Sequence, residues 1–217
     1  MKKLRLYHNA GNKEDGFTIL ELLIATAVFS MVLLLCATAV VQVGQIFYKG
    51  VITNRTQETS RKVINDIIGA IQYGDSNLSH QKVPVSGGFA ECVGTLRYTY
   101  LLSKSVGTAS GQSPHVLWKN RIGSPGPGSC AANPVNMNSP AGAGEELLGT
   151  NMRLKDFQII PLTGSSWQTT VTVAYGATDN VFALNAGVPD YGHCVQRNIG
   201  GQFCAVSSIT SYATERL

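Results

Sequence analysis

Residues 1–16 (MKKLRLYHNAGNKEDG) are polar and basic, residues 22–43 are almost wholly apolar, and beyond Val43 the chain turns amphipathic. This order predicts a cytoplasmic leader, a membrane-spanning helix and a helical continuation with one buried face. In the continuation Ile64, Ile67, Ile68 and Ile71 share one stripe, with Arg55, Glu58 and Lys62 off it. Glu58 and Lys62 stand at i, i+4, a favourable pairing on an exposed face. No proline interrupts the chain between Phe17 and Tyr73, and Gly74 suits a helix C-terminus. One helix over 17–73 would be about 85 Å long. Gly44 and Gly50 each weaken it by about 1 kcal/mol relative to alanine, either at a bend or as tolerated residues in a packed helix.

After Gly74 the period changes. In Leu96-Arg97-Tyr98-Thr99-Tyr100-Leu101-Leu102 the even positions are all apolar or aromatic, which predicts a strand with one buried face. Val116–Lys119 reads as a short partner strand. Phe157–Ile160 and Trp167–Tyr175 read as a hairpin turning at Leu162–Ser166, and Phe203–Tyr212 as a last strand. Residues 123–146 and 185–204 read as irregular, being rich in turn residues. The predicted fold is α+β, a lollipop in which the amphipathic half of the helix covers one antiparallel sheet of about four to six strands. The predicted boundaries are leader 1–16, transmembrane helix 17–43, amphipathic continuation 44–74 and β-rich head 75–217. The head then has about 140–150 residues, enough for one modest core.

One residue breaks the apolar run. Glu21 lies just inside the membrane segment, where a charge costs roughly 2.5–3.5 kcal/mol on insertion scales. An acid retained there points to function. The junction before it, Gly16-Phe17, closes the basic leader. The apolar run is longer than a secretory signal core, and no small-residue cleavage site follows it. An uncut signal anchor would account for the run and the basic flank, but not for Glu21 or the Gly-Phe junction.

Composition narrows the class. The net charge of +4 is mild, and Lys2, Lys3, Arg5 and Lys13 of the leader supply part of it. The other basic residues are scattered, so no tract supports a nucleic-acid partner. Only 14% of residues are charged while Gly is abundant, which suits an exported β-rich domain better than a cytosolic enzyme. Cys36 lies inside the apolar helix; Cys92, Cys130, Cys194 and Cys204 all lie in the head. Four cysteines in an exported domain favour disulfides, and three pairings are open. Cys92–Cys130 and Cys194–Cys204 are favoured because each pair encloses a plausible loop. Without C-x-x-C spacing a zinc site is not expected.

Enzyme constellations are missing from the sequence. His8, His80, His115 and His193 are isolated, and no H-E-x-x-H, G-x-S-x-G or P-loop occurs. Asp179, Asn180 and Asp190 offer oxygen ligands of the kind Ca²⁺ prefers, but in no spaced acidic motif. No catalytic residue, cofactor or metal is therefore assigned. Asn54-Arg55-Thr56 and Asn77-Leu78-Ser79 fit the N-x-S/T sequon, a pattern common by chance.

Together the basic leader, the Gly16-Phe17 junction and Phe17-Thr18-Ile19-Leu20-Glu21 resemble the N-terminus of type IV pilins and type II secretion pseudopilins. Glu14-Asp15 departs from the family pattern, in which basic or neutral residues precede the glycine. The resemblance implies cleavage after Gly16 by a prepilin peptidase and methylation of the new N-terminus at Phe17. It places Glu21 at the fifth mature position, where the family carries its glutamate. It also implies a single pass through the inner (cytoplasmic) membrane with the head outside, then assembly with other pilins on platform proteins. The head has the strand with Tyr98-Thr99-Tyr100, the strand with Trp118 and Arg121, and the hairpin of Phe157 and Val171–Tyr175. In that order it resembles J-like pseudopilins and W-like minor pilins. The function implied is a minor pilin or pseudopilin; the competing readings are a displayed adhesin or DNA receptor, and a tethered enzyme.

Overall fold

The computed structural model describes residues 16–74, 80–85, 87–123, 130–131, 136–140, 143–196 and 200–215. Residues 1–15 of the predicted leader, half of the Gly/Pro-rich loop 123–146 and the second sequon lie outside them. The architecture is α+β: one long N-terminal helix, α1 (Ile19–Gln72), and antiparallel sheets in the head. The helix runs unbroken through Gly44 and Gly50, where an added Cβ would meet open space.

By internal contacts the chain forms two units. The first extends to Gly44. Its part of α1 is long and apolar enough to cross a membrane, and its apolar side chains are exposed.

The second unit, Gln45–Leu217, holds the rest of α1 and all the strands. Here α1 buries Ile52, Thr56, Ser60, Val63, Ile64, Ile67 and Ile71. Ile68, placed on the stripe by its spacing, is only half-buried. Thr56 and Ser60 are tolerated on this face because each hydroxyl donates to the carbonyl four residues back, at 2.7 and 3.0 Å. Arg55 stays exposed, as do Glu58 and Lys62, which pair at 2.7 Å.

The head has three sheets rather than the single one expected. Five strands pair in chain order: β1 (His80–Val85), β2 (Gly88–Val93), β3 (Leu96–Tyr100), β4 (Leu117–Arg121) and β5 (Gly144–Glu146). A second sheet has the order β10-β7-β6, from β6 (Met152–Pro161), β7 (Ser166–Tyr175) and β10 (Ala205–Thr214). The third is a ribbon of β8 (Phe182–Asn185) and β9 (Val188–Cys194). The stretch expected to be irregular from 185 thus holds a hairpin. Ala186 and Gly187 both have positive φ at its tip, as a tight primed turn requires. The β1–β2 hairpin was likewise not expected, and β5 gives a short strand to a stretch expected to be all loop.

Facing side chains of α1, β3, β4, β6 and β7 make one core: Ile67, Ile71, Tyr98, Tyr100, Leu117, Phe157, Val171 and Val173 are all essentially inaccessible. The prediction of one buried face for β3 needs correction. Arg97 and Thr99, on its other face, are buried too. There Ala90, Cys92 and Cys130 form a smaller apolar cluster, and Arg97 donates to Asn120 Oδ1 at 3.1 Å and to the Cys130 carbonyl at 3.4 Å. Polar–apolar alternation cannot anticipate a loop that returns to cover the polar face.

Candidate functional site

The segment that carries the predicted chemistry begins in extended, exposed chain. Gly16 and Phe17 precede the helix, and the Phe17 side chain is 79% exposed. A peptide bond in this setting is open to a processing enzyme.

Thr18 stands just before the first helical residue and Glu21 three residues on, in the helix's first turn. The Thr18 N–H donates to Glu21 Oε2 at 3.0 Å, and the Thr18 hydroxyl donates to the same oxygen at 2.9 Å. The Glu21 N–H donates back to Thr18 Oγ1 at 3.2 Å. This is a reciprocal capping box. It satisfies two backbone donors that a helix start otherwise leaves open, and sets a carboxylate at the positive end of the helix dipole. The sequence signal for it, T-x-x-E before an apolar run, was there to read, yet Thr18 was not singled out. Both Thr18 bonds fall on Oε2, so Oε1 has no partner among the described residues. It is free to take a cation.

From Leu22 to Val41 the helix presents only apolar and small polar side chains. Thr26, Ser30 and Thr38 turn their hydroxyls onto helix carbonyls three or four residues back. Their polar atoms are thus satisfied within the helix, as a hydrocarbon environment demands.

A scan against family models matches residues 11–37 to the prokaryotic N-terminal methylation motif. This short motif indicates the N-terminus of a type IV pilin or pseudopilin, and it covers only this segment of the chain. The motif implies processing by a prepilin peptidase and association with other pilins. An apolar N-terminal helix bearing it fits a membrane-anchored pilin. No curated protein and no solved structure matches the chain.

The head holds the remaining predicted residues. Cys92 and Cys130 form one disulfide, spanning 38 positions, and Cys194 and Cys204 another, spanning 10. Cys36 is free and exposed on the helix. The first bridge ties residue 130 to the sheet above Arg97. The second closes the segment after β9, whose carbonyls at Gly201 and Cys204 both accept from Lys49 of α1. Tyr48 and Phe203 meet edge to face beside it, ring centres 5.3 Å apart.

The candidate cation ligands are otherwise engaged. Asp179 pairs with Arg153, whose guanidinium lies 4.8 and 4.6 Å from the ring centres of Phe182 and Tyr191. Asp190 pairs with Lys155 and, at 2.6 Å, with His193. Among the described residues no group of three His, Cys, Asp or Glu is placed to hold a metal.

One buried carboxylate escaped notice in the sequence. Glu91 of β2 has no accessible surface. It accepts from the Ile159 N–H at 3.1 Å and the Tyr100 hydroxyl at 3.2 Å, and lies 2.8 Å from His80 Nε2. Burial first, and Glu91's charge next, push the Tyr100 phenol well above its ordinary range. A single Glu in a strand gives no sequence signal for such a role.

Proposed function

We propose that this chain is a minor pilin or pseudopilin, a structural subunit that primes or joins a type IV pilus-like filament. The observation that carries the reading is the methylation motif lying over the Gly16-Phe17 junction and an exposed apolar helix start. In this reading the chain is stored in the inner membrane by α1, with its head outside. Prepilin peptidase cuts after Gly16 and the new Phe17 amine is methylated. The same apolar helix then leaves lipid for a bundle of like helices, exchanging one apolar setting for another.

Glu21 sets the register of that transfer. Self-capping compensates part of its burial cost, at most about 2 kcal/mol from the helix dipole. A cation is needed for the rest. The new Phe17 amine, on its own or a neighbouring subunit, is the cation that recurs with every subunit, and Oε1 of Glu21 is open to receive it. The two disulfides suit a head that works outside the reducing cytoplasm.

Intact-mass analysis of the protein from sheared filaments of its native host tests this. The expected product lacks residues 1–16 and carries one methyl group on Phe17. Assembled material that keeps its leader would overturn the reading.

A further inference from the structure

The edges of the head's sheets are treated unequally. In the second sheet the Leu162 N–H donates to the Ser166 carbonyl at 2.8 Å and the Glu215 N–H to the Ser165 carbonyl at 3.0 Å. Even-numbered residues of β7 therefore bond β6, and odd-numbered residues bond β10. On β10 the odd residues face β7, so Val206, Ser208, Thr210, Tyr212 and Thr214 turn their N–H and C=O groups outward.

The opposite edge of this sheet is closed. On β6 the Ile159 N–H is taken by Glu91, the Phe157 carbonyl by the Tyr100 hydroxyl, and the Leu154 and Met152 carbonyls by the N–H groups of Ser103 and Val106. In the first sheet β1 is blunted by Lys82 and Pro84, and β5 has only three residues, two of them Glu. The β8–β9 ribbon carries Asp190 and His193. By contrast β10 runs ten residues in unbroken register, with no charge, no proline and no bulge. Ser208, Thr210, Tyr212 and Thr214 are exposed, and no described group bonds their outward main chain. Long uncharged edges are a hazard that folds ordinarily blunt, as this one blunts its others.

We propose that the outer edge of β10 is a docking site for an extended, uncharged strand of a different filament subunit, added antiparallel or parallel by main-chain hydrogen bonds. Over Ser208–Thr214 the row of alternating N–H and C=O groups, about 23 Å long, fits another extended main chain. A second copy of this chain is a poor donor. Among the described residues its one open long edge is β10 itself, and antiparallel pairing of two β10 strands closes a two-fold dimer that cannot propagate along a filament. The proposal rests on the reading of the chain as a filament subunit.

The test places a photo-reactive benzoyl-phenylalanine at Tyr212 in the full chain, expressed in the native host. Ultraviolet light should give one discrete adduct with a different pilin-like protein. Thr210→Pro removes an outward donor while leaving the ladder to β7 intact, and should cut adduct yield by roughly tenfold. Thr210→Ala loses the same hydroxyl and keeps the N–H, so its yield should match that of the parent. Disulfide mapping of each variant confirms the folded head. Equal yields from the proline and alanine variants would overturn the proposal, as would a homotypic adduct or none. The N-terminal mass of the same samples is read in parallel. A retained leader would defeat the filament reading, whereas a processed chain with an unoccupied edge would defeat only the strand-docking proposal.

Discussion

Thr18 and Glu21 cap each other: both donors of Thr18 converge on one oxygen of Glu21, and Glu21 returns its own N–H to the Thr18 hydroxyl at 3.2 Å. This separates two roles that a single glutamate would otherwise confound. Glu21→Gln keeps the capping geometry, because Gln serves in the same box, and removes the charge. Thr18→Ala keeps the charge and removes the cap, at about 1 kcal/mol of helix-start stability. If Glu21 works by pairing with a Phe17 amine, Glu21→Gln should nearly match Glu21→Ala in lost filament incorporation. Thr18→Ala should be milder than either. Pilus-shearing yields, with leader cleavage as the control for insertion, rank the three; normal assembly of both Glu21 variants would exclude the pairing role.

The two disulfides should differ in worth. Loop-closure entropy gives about 4 kcal/mol for Cys92–Cys130 and about 3 kcal/mol for Cys194–Cys204, because the first closes the longer loop. Thermal unfolding of Cys92→Ser/Cys130→Ser should therefore start lower than that of Cys194→Ser/Cys204→Ser. The opposite order would mean that the second loop, held by Lys49, is the one that organises the head.

What the sequence disclosed follows from where periodicity survives. The helix, the β6–β7 hairpin and β10 have long periodic runs, β3 alternates with period two although both its faces are buried, β4 opens on a short apolar run, and all were legible. The β1–β2 hairpin was not. Pro84 sits inside β1, and a proline argues against a strand unless the strand lies at an edge, which a sequence does not reveal. In β8, four residues are too few for a period to register. The processing segment was legible because its signal is local, with leader, junction and acid within six residues of one another. The Glu91 cluster was hidden because its partners, His80, Tyr100 and Ile159, come from three strands.

That cluster predicts a large stability effect. Glu91 ties β2 of the first sheet to the edge of β6 in the second. Glu91→Ala would leave the Ile159 N–H buried without an acceptor and the Tyr100 hydroxyl with only its 3.4 Å bond to the Phe157 carbonyl, at a cost of roughly 3 kcal/mol. Glu91→Gln keeps one carbonyl acceptor and should cost about half as much. Urea midpoints of the two variants measure this. Near-wild-type stability for Glu91→Ala would mean that water enters and takes over the network.

The last prediction concerns acid. Asp190 of β9 is held by Lys155 of β6, then by the Gly192 N–H at 2.9 Å and by His193. Lys155 above all, and then these two donors, hold its carboxyl well below the usual carboxylate range. A depressed acid contributes stability that is fully present above its unfolded pKa, about 3.9, and lost as pH falls through the folded value. The head should therefore keep this contribution at neutral pH and shed it only in strong acid. Asp190→Asn should lower the melting temperature at pH 7 and flatten its fall below about pH 4. A second variant tests the geometry while keeping the carboxylate. A Cβ on Gly192 would lie 2.6 Å from Lys155 Nζ and force that flexible ammonium aside, and would approach Asp190 Oδ1 less closely, at 3.2 Å. Gly192→Ala should thus raise the Asp190 titration midpoint, read by carboxyl NMR, while the β8–β9 ribbon stays folded. An unmoved midpoint would show that the Gly192 N–H and His193, not Lys155, set the acidity of Asp190.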